Sequence, residues 1–392
     1  MVLNKTITHF AARLNSLDLL RGWFLMVIAF DHLIRIPSMF DLVTGRGLLW
    51  VTAAEGFFFI SGMLVGIARG RQMQLEGLKS AAKHVWVRAG KLYIASVILT
   101  FIYLLLGYWL QSHGVTAIKG GLTHFGSTSD MLYNVLNLNY TYGWADFLSF
   151  YAVFLGLAPL ALWLLRRKLW WVIVWVSVTL WLVKGEVTLP FLSFYAIWQV
   201  YFFLGLVFGY HFNTIRAYYR LLTPRTVLLL RLTLVTATVA TIIASMAFTF
   251  GTPFFARYGP GYAGLLQLLH LPSPQTFYDF FNGVKENQTF KELFQNDRGG
   301  ILRMPMFLLW FGCLFSIVRR NEDWVVQKAG WLLLPLGKNS LYVYIIQSVL
   351  AFGVPLINLP FGYVINTFIN IAAILICWVA VKRRFLFAII PR

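Results

Sequence analysis

Ten apolar stretches constrain this chain more than any other feature of its sequence. They cover residues 19–36, 48–68, 88–110, 146–165, 169–183, 191–210, 227–250, 303–319, 333–352 and 363–381. A helix needs about 20 apolar residues to cross the hydrocarbon core of a membrane. Only 12% of the residues are charged, against about 25% in a soluble protein, so polar groups cannot cover a soluble surface. The sequence predicts an all-α integral membrane protein with about ten transmembrane helices in one bundle.

The placement of the Lys and Arg residues predicts the orientation of these helices. If ten spans start from an inner N-terminus, most of the 33 basic residues fall in cytoplasmic segments, as membrane proteins prefer. Lys5, Arg13 and Arg392 are then inside, and Arg298 is outside. We therefore expect both termini in the cytoplasm. The net charge of +19 reflects this topology, and no nucleic-acid partner is expected.

The chain shows no internal repeat and no linker, so residues 1–392 are expected to form one membrane domain in contact with the lipid bilayer. Two outer loops are long, at residues 111–145 and 251–302. The second mixes Pro, Gly, aromatic and charged residues, which predicts a partly ordered cap with short interfacial helices. Long loops of this kind often bind ligands.

The cysteine and histidine residues give no sign of disulfide or metal chemistry. Cys313 and Cys377 each lie in a long apolar run, where packing is the expected role. The histidines have no metal-ligand spacing. We expect no metal site.

The first two predicted helices hold the densest group of ionisable residues. Arg21 and His32 are eleven residues apart, which places them on one helix face about 16 Å from each other. A ligand that touches both would be long, thin and anionic at its inner end. Glu55 on the second helix has a comparable depth, where a carboxylate can orient an imidazole base. We predict His32 and Glu55 as catalytic residues; the alternative for His32 is a hydrogen bond between helices.

Two nearby residues have a plainer interpretation. Asp31 points about 100° away from His32 along the helix, which makes it a poor partner for the imidazole. It precedes Arg35 by four residues, so an ion pair between Asp31 and Arg35 is expected.

Basic residues at the inner surface can bind phosphate. Arg88 and Lys91 are three residues apart at the start of the third helix, level with Arg21, and Lys338 at the start of the ninth helix can join them. The alternative is that they are topology signals or contacts to lipid head groups.

Ser61 and Gln347 are further candidates to line a cavity. Ser61 lies in the stretch FFFISG, which equally fits close packing between helices. Gln347 lies on the ninth helix, where a hydrogen bond between helices is the alternative.

Several of these segments together resemble the membrane acyltransferase-3 superfamily. They are LDLLRG at 17–22, the spacing from Arg21 to His32, AEGFFFISG at 54–62 and LGKNSLYVYIIQ at 336–347. The stretch DHL at 31–33, followed by residues 40–67, most resembles the OpgC branch, whose members succinylate periplasmic glucans. The resemblance implies about ten helices around a pore in the bacterial inner membrane. Acyl-CoA, either succinyl-CoA or acetyl-CoA, would enter from the cytoplasm, and a glycan acceptor from outside.

The resemblance also implies roles for individual residues. His32 would be the general base for a sugar hydroxyl, and Arg21 would contact coenzyme A. The superfamily often has R-x-x-R where this chain has Arg88 and Lys91, and a lysine loses the bidentate geometry of arginine. Many members have histidine at the position of Gln347, so no second catalytic histidine is expected.

Asp31, Arg35, Arg46, Ser61 and Gln347 are candidate substrate-binding residues. If the donor is succinyl-CoA, a cation must meet its free carboxylate near His32, and Arg35 or Arg46 is expected to do so.

Two other classes of function compete with the acyltransferase. A transporter or flippase of a glycan or lipid-linked intermediate also places charges within the membrane, but it often has inverted repeats, which this sequence lacks. A scaffold for glycan-synthesis proteins would not explain an acid, a base and a histidine within two helices. Glycan-synthesis proteins remain expected as partners of the enzyme.

Overall fold

The computed structural model describes residues 14–116, 118–184, 190–294, 299–357, 359–388 and 390. Lys5, Arg13, Arg298 and Arg392, on which part of the topology prediction depends, lie outside the described residues. The described part of the chain consists of helices and loops and contains no strand.

The helices of the first half are α1 (Asn15–Leu33), α2 (Ala53–Glu76), α3 (Leu78–Ser112), α4 (Thr128–Leu136), α5 (Asp146–Arg166), α6 (Trp170–Leu182) and α7 (Pro190–Tyr210). Those of the second half are α8 (Phe212–Leu221), α9 (Pro224–Leu268), α10 (Pro274–Glu286), α11 (Gln288–Phe294), α12 (Arg303–Arg320), α13 (Glu322–Lys338), α14 (Ser340–Gly353) and α15 (Tyr363–Lys382). Single helical turns cover Asp41–Thr44, Gly45–Gly47 and Val354–Leu356.

Helices overlap all ten predicted spans, but fewer of them qualify as membrane spans. Among the described residues six helices are long and apolar enough to cross a membrane, namely α2, α3, α5, α7, α9 and α15. The bent pair of α13 and α14 makes a seventh if it counts as one span. Helices α1 and α12 carry more charge, and α6 has 13 residues, about 20 Å, which is less than the hydrocarbon core. The structure therefore supports a helical membrane protein without confirming ten spans.

The ninth predicted span, residues 333–352, is not one straight helix. It breaks at Asn339, where the axes of α13 and α14 meet at 88°. The Asn339 side chain donates a hydrogen bond to the carbonyl of Pro335 at 2.9 Å, which competes with continuation of the helix. Hydropathy gives the length of an apolar stretch but not the direction of the helix axis along it. The sequence therefore does not predict this bend.

The long loops are more helical than predicted. The first contains α4, and the second begins only after Leu268, because α9 continues through 251–268. With 45 residues α9 is about 67 Å long, roughly twice the thickness of the hydrocarbon core. The expected short helices of the cap are present as α10 and α11.

Glycines bring α2 and α7 into direct backbone contact. Gly62 and Gly66 of α2 lie against the backbone of α7, and Gly205 and Gly209 of α7 lie against the backbone of α2. A Cβ at any of these positions would overlap the facing helix. The stretch FFFISG thus takes part in close packing between helices, because small residues four positions apart let two helices approach closely.

The helices around α1 give the bundle two distinguishable ends. Thr52 at the start of α2 lies beside His32, whereas Phe57, further along α2, lies beneath Arg21. Helix α2 therefore runs antiparallel to α1. We call the two ends of the bundle the Arg21 end and the His32 end.

Candidate active site

A cavity of about 240 Å³ lies at the His32 end. Its polar lining residues are Asp31, His32, Thr52, Asp146 and Tyr344. Its aromatic lining residues, besides His32 and Tyr344, are Phe58, Phe147, Phe150 and Trp198. A concave, mainly apolar wall with a few polar groups is the usual form of a small-molecule site. The cavity is therefore the candidate active site.

His32 occupies the last turn of α1 and is held by aromatic rings. The centroid of its ring lies 5.2 Å from that of Trp144 and 6.5 Å from that of Tyr344. Its Nδ1 atom is buried and makes no hydrogen bond within the described chain. The alternative interpretation, a histidine hydrogen-bonded between helices, does not match this arrangement. The ring is packed between aromatic side chains, and its Nδ1 remains available to a ligand.

Glu55 is not the partner of His32, contrary to the sequence prediction. Its Oε1 forms a buried ion pair with Arg303 of α12. Its Oε2 accepts hydrogen bonds from the backbone N–H of Thr52 at 2.9 Å and from the Thr52 hydroxyl at 2.5 Å. Both carboxylate oxygens are thus occupied. Glu55 lies at the expected depth, but it caps α2 and joins it to α12.

Asp146 and Tyr344 are cavity residues that sequence reasoning missed. Asp146 begins α5, and its Oδ1 accepts a hydrogen bond from the N–H of Phe147 at 2.5 Å. The Tyr344 hydroxyl interacts with the Asp146 carboxylate but makes no hydrogen bond of ordinary geometry among the residues described. In the sequence, Asp146 is recognisable only as a carboxylate at the start of an apolar helix. Such a residue is usually explained by its favourable interaction with the N-terminal end of the helix dipole.

Asp31 lines the cavity, but the expected ion pair with Arg35 does not form in the described structure. Helix α1 ends at Leu33, and Ile34 has the left-handed conformation, so Arg35 leaves the helical position beside Asp31. Asp31 interacts instead with the Thr44 hydroxyl. Arg35 is buried, donates from Nη1 to the carbonyl of Leu359 at 3.1 Å and stacks on an aromatic ring.

Arg46 is occupied by a neighbouring carboxylate. Its Nε and Nη2 atoms lie 2.9 and 2.8 Å from Oδ2 of Asp41. Arg46 does not line the cavity around His32.

Arg21 is buried at the opposite end of α1. Its Nη2 donates a hydrogen bond to the hydroxyl of Ser340, the first residue of α14. Its guanidinium lies 5.4 Å from the centroid of Phe57. The Phe57 ring packs at 4.9 Å on Phe147, which lines the cavity of His32. The rings of Phe57 and Phe147 therefore lie between Arg21 and the cavity of His32.

Arg88 borders the same aromatic side chains. Its guanidinium lies 5.9 Å from the centroid of Tyr151, one turn beyond Phe147 on α5. Its Nε is buried without a hydrogen-bond partner in the described chain. Arg69 of α2 interacts electrostatically with Arg88, and two cations so close favour an anion beside them. Sequence reasoning had not singled out Arg69.

The other two predicted phosphate ligands are exposed. Lys91 lies on an exposed face of α3. Lys338 is the last residue of α13, two residues before the serine that binds Arg21. Their contribution to a phosphate site stays a prediction.

Ser61 and Gln347 are buried but do not line the cavity of His32. The Ser61 hydroxyl and both polar atoms of the Gln347 amide make no hydrogen bond within the described residues. Buried polar groups of this kind are costly unless a ligand or water binds them. Their role in substrate binding also stays a prediction.

The described residues contain no group of His, Cys, Asp and Glu side chains that can hold a metal ion. Cys313 and Cys377 are both buried and unpaired.

Comparison with known proteins identifies the family. The family model described as OpgC protein matches residues 13–387. The sequence matches no curated protein and no solved structure. The family match indicates a membrane acyltransferase-like function, and the apolar helices agree with a multi-pass membrane protein. Since the match extends over nearly the whole chain, this protein belongs to the OpgC family.

Proposed function

We propose that this protein is a membrane O-acyltransferase. It transfers an acyl group, succinyl or acetyl, from cytoplasmic acyl-CoA to a hydroxyl of an extracytoplasmic glycan such as a periplasmic glucan. The observation that carries this proposal is His32, which lines a cavity and whose Nδ1 makes no hydrogen bond within the described residues, together with the aromatic side chains between this cavity and the buried Arg21.

The Arg21 end faces the cytoplasm in this proposal. The preference of basic residues for the cytoplasmic side supports the orientation. The His32 end then faces the other side of the bacterial inner membrane, where the glycan acceptor is found.

Coenzyme A fits the separation between the two ends. Its phosphates would bind Arg21, Arg88 and Arg69, whose charges suit an anion. Its pantetheine arm is slender and uncharged, which suits the aromatic side chains of Phe57 and Phe147. The eleven residues from Arg21 to His32 correspond to about 16 Å along α1, a distance that this arm can cover.

The chemistry needs a base for the acceptor and a proton for the leaving group. The neutral imidazole of His32 removes the proton of the sugar hydroxyl, and the alkoxide attacks the thioester carbonyl. A new C–O bond forms, and the C–S bond breaks as the tetrahedral intermediate collapses. The imidazolium returns its proton to the thiolate, which leaves as free coenzyme A.

Other residues of the cavity would support the charges of this reaction. Asp146, in the role first expected of Glu55, stabilises the imidazolium through space. The Tyr344 hydroxyl can donate a hydrogen bond to the developing oxyanion.

Neither Arg35 nor Arg46 lines the cavity of His32. Arg35 is the better candidate for the carboxylate of a succinyl group, because a guanidinium has five donors and the described contacts of Arg35 use one, whereas Arg46 is paired with Asp41.

The test measures coenzyme A release by the purified protein with succinyl-CoA or acetyl-CoA, with and without glycan. His32→Ala is expected to abolish acceptor-dependent release while the protein remains folded. His124→Ala removes an exposed histidine outside the cavity and is expected to leave release unchanged. Full activity of His32→Ala would refute the mechanism.

The same assay separates the enzyme from a transporter or flippase. The break between α13 and α14 is a feature that transporters also use at their binding sites. A transporter would move glycan across vesicle membranes without releasing coenzyme A. Glycan movement with no turnover of either donor by folded protein would favour that alternative.

A further inference from the structure

A second, larger cavity opens beside the candidate active site. It has a volume of about 580 Å³, within the range of about 300–1,000 Å³ typical of small-molecule sites. Six aromatic side chains line it: Trp50, Phe194, Trp198, Phe248, Phe290 and Phe294. They come from the segment before α2 and from α7, α9 and α11. We call this cavity the aromatic cleft.

The aromatic cleft adjoins the cavity of His32. Trp198 lines both cavities. The segment of Leu48 to Thr52 forms a second link, because Trp50 lines the cleft and Thr52 lines the cavity. The two cavities therefore share a wall, so a chain bound in the cleft lies next to the cavity of His32.

Ring stacking and hydrogen bonds support the inner wall of the cleft. The ring of Trp50 stacks on Phe294 with centroids 4.0 Å apart and on Phe248 at 6.1 Å. Its backbone N–H donates a hydrogen bond to Ser245 of α9 at 2.9 Å. The carbonyl of Leu49 accepts a hydrogen bond from Arg303 at 3.3 Å. These contacts hold the wall in place before a ligand binds, which lowers the cost of binding.

Charged groups of the cap lie beside the aromatic rings. Lys291 forms an ion pair with Glu286 at 2.7 Å, and Lys285 lies next to it in the same wall. The hydrogen bond from Lys291 lowers the pKa of Glu286, which favours the charged carboxylate. The ammonium groups can donate hydrogen bonds and the carboxylate can accept them.

We propose that the aromatic cleft binds the glycan acceptor chain and delivers one of its hydroxyls to His32; this inference rests on the proposed acyl transfer. A pyranose ring has apolar C–H faces and a rim of hydroxyls. Aromatic rings match the faces, and the Lys and Glu side chains match the rim. A lipid tail would contact the rings but would make no hydrogen bond with the Lys and Glu side chains of the wall.

Binding without donor tests the cleft apart from the chemistry. Laminarihexaose and maltohexaose, two gluco-oligosaccharides of different linkage, are titrated onto the protein in nanodiscs by calorimetry. Phe194 is 46% exposed and makes no ring contact within the described structure, so Phe194→Ala removes a binding surface with little loss of packing. We expect it to raise the Kd of the bound oligosaccharide about fivefold. Phe368→Ala, an exposed phenylalanine of α15 outside the cleft, is the matched control and should leave Kd unchanged.

Lys291→Met is expected to weaken binding as well, because it removes a donor for sugar hydroxyls. In the transfer assay both cleft variants should raise KM for the hexaose more than KM for glucose, which is too short to fill the cleft. Absence of saturable hexaose binding, or equal Kd in wild type and both variants, would overturn the proposal. Binding of an alkyl chain in place of the hexaose would identify a lipid site instead. Hexaose binding that depends on Phe194, with no release of coenzyme A, would refute the acyltransferase and retain the cleft.

Discussion

The buried ion pair of Glu55 and Arg303 allows a quantitative prediction. Each residue is 1% exposed, and within the described residues the carbonyl of Leu49 is the backbone acceptor that Arg303 has besides the Glu55 carboxylate. Removing one partner of a buried pair costs about 3–5 kcal/mol, because the remaining charge loses its counter-ion. We therefore expect Glu55→Leu to lower the free energy of unfolding by about this amount.

The double variant Glu55→Leu, Arg303→Met removes both charges together. It loses the contact of Thr52 with Glu55, worth about 1 kcal/mol, and the hydrogen bond to Leu49, also about 1 kcal/mol. Its expected loss is therefore about 2 kcal/mol, which makes it more stable than Glu55→Leu alone. Since Arg303→Met alone is also expected to cost about 3–5 kcal/mol, the coupling between the two sites should be at least about 4 kcal/mol.

Unfolding in mixed micelles with increasing dodecyl sulfate measures these differences. Glu322→Leu breaks a partly exposed ion pair with Arg319 and serves as the control, with an expected loss below about 1 kcal/mol. A double variant less stable than Glu55→Leu would refute the pairing argument. A Glu55→Leu protein as stable as wild type but unable to release coenzyme A would restore Glu55 to a catalytic role.

Three further substitutions test packing, donor binding and the cavity. Gly62→Ala should destabilise the protein by about 1–3 kcal/mol in the same unfolding assay, because its Cβ would overlap α7. Gly156→Ala, whose Cβ meets open space, should stabilise it by up to about 1 kcal/mol, and equal effects would contradict the packing argument. Arg21→Met should raise KM for acyl-CoA roughly tenfold, whereas Arg46→Met should not change it; equal values would remove Arg21 from the phosphate site. Asp146→Asn should lower kcat at least about tenfold with little change in donor KM, and a wild-type kcat would exclude its electrostatic role.

Much of the helical architecture can be predicted from hydropathy. The apolar runs predict helices at ten positions, and the structure has a helix at each. Whether each helix spans the membrane is harder to predict, because span length and direction depend on neighbouring helices. The 88° break at Asn339 illustrates this difference, since the apolar run continues through it.

The candidate site was predicted in part. Helical periodicity places Arg21 and His32 on one face, and the structure connects them through Phe57 and Phe147. The partner of His32 was wrongly predicted, because depth along a helix says nothing about rotation around it. Glu55 has the right depth but faces Arg303, which lies 248 residues away in sequence.

The sequence by itself determined the class of this protein, its family and the two ends of the candidate site on α1. Composition, hydropathy and local motifs carry that information, because they depend on neighbouring residues. The tertiary structure alone decided that Asp146 and Tyr344 join His32, that Glu55 pairs with Arg303, and that the cap forms an aromatic cleft. These contacts join residues far apart in the chain, and only the packing of the helices determines which of them meet.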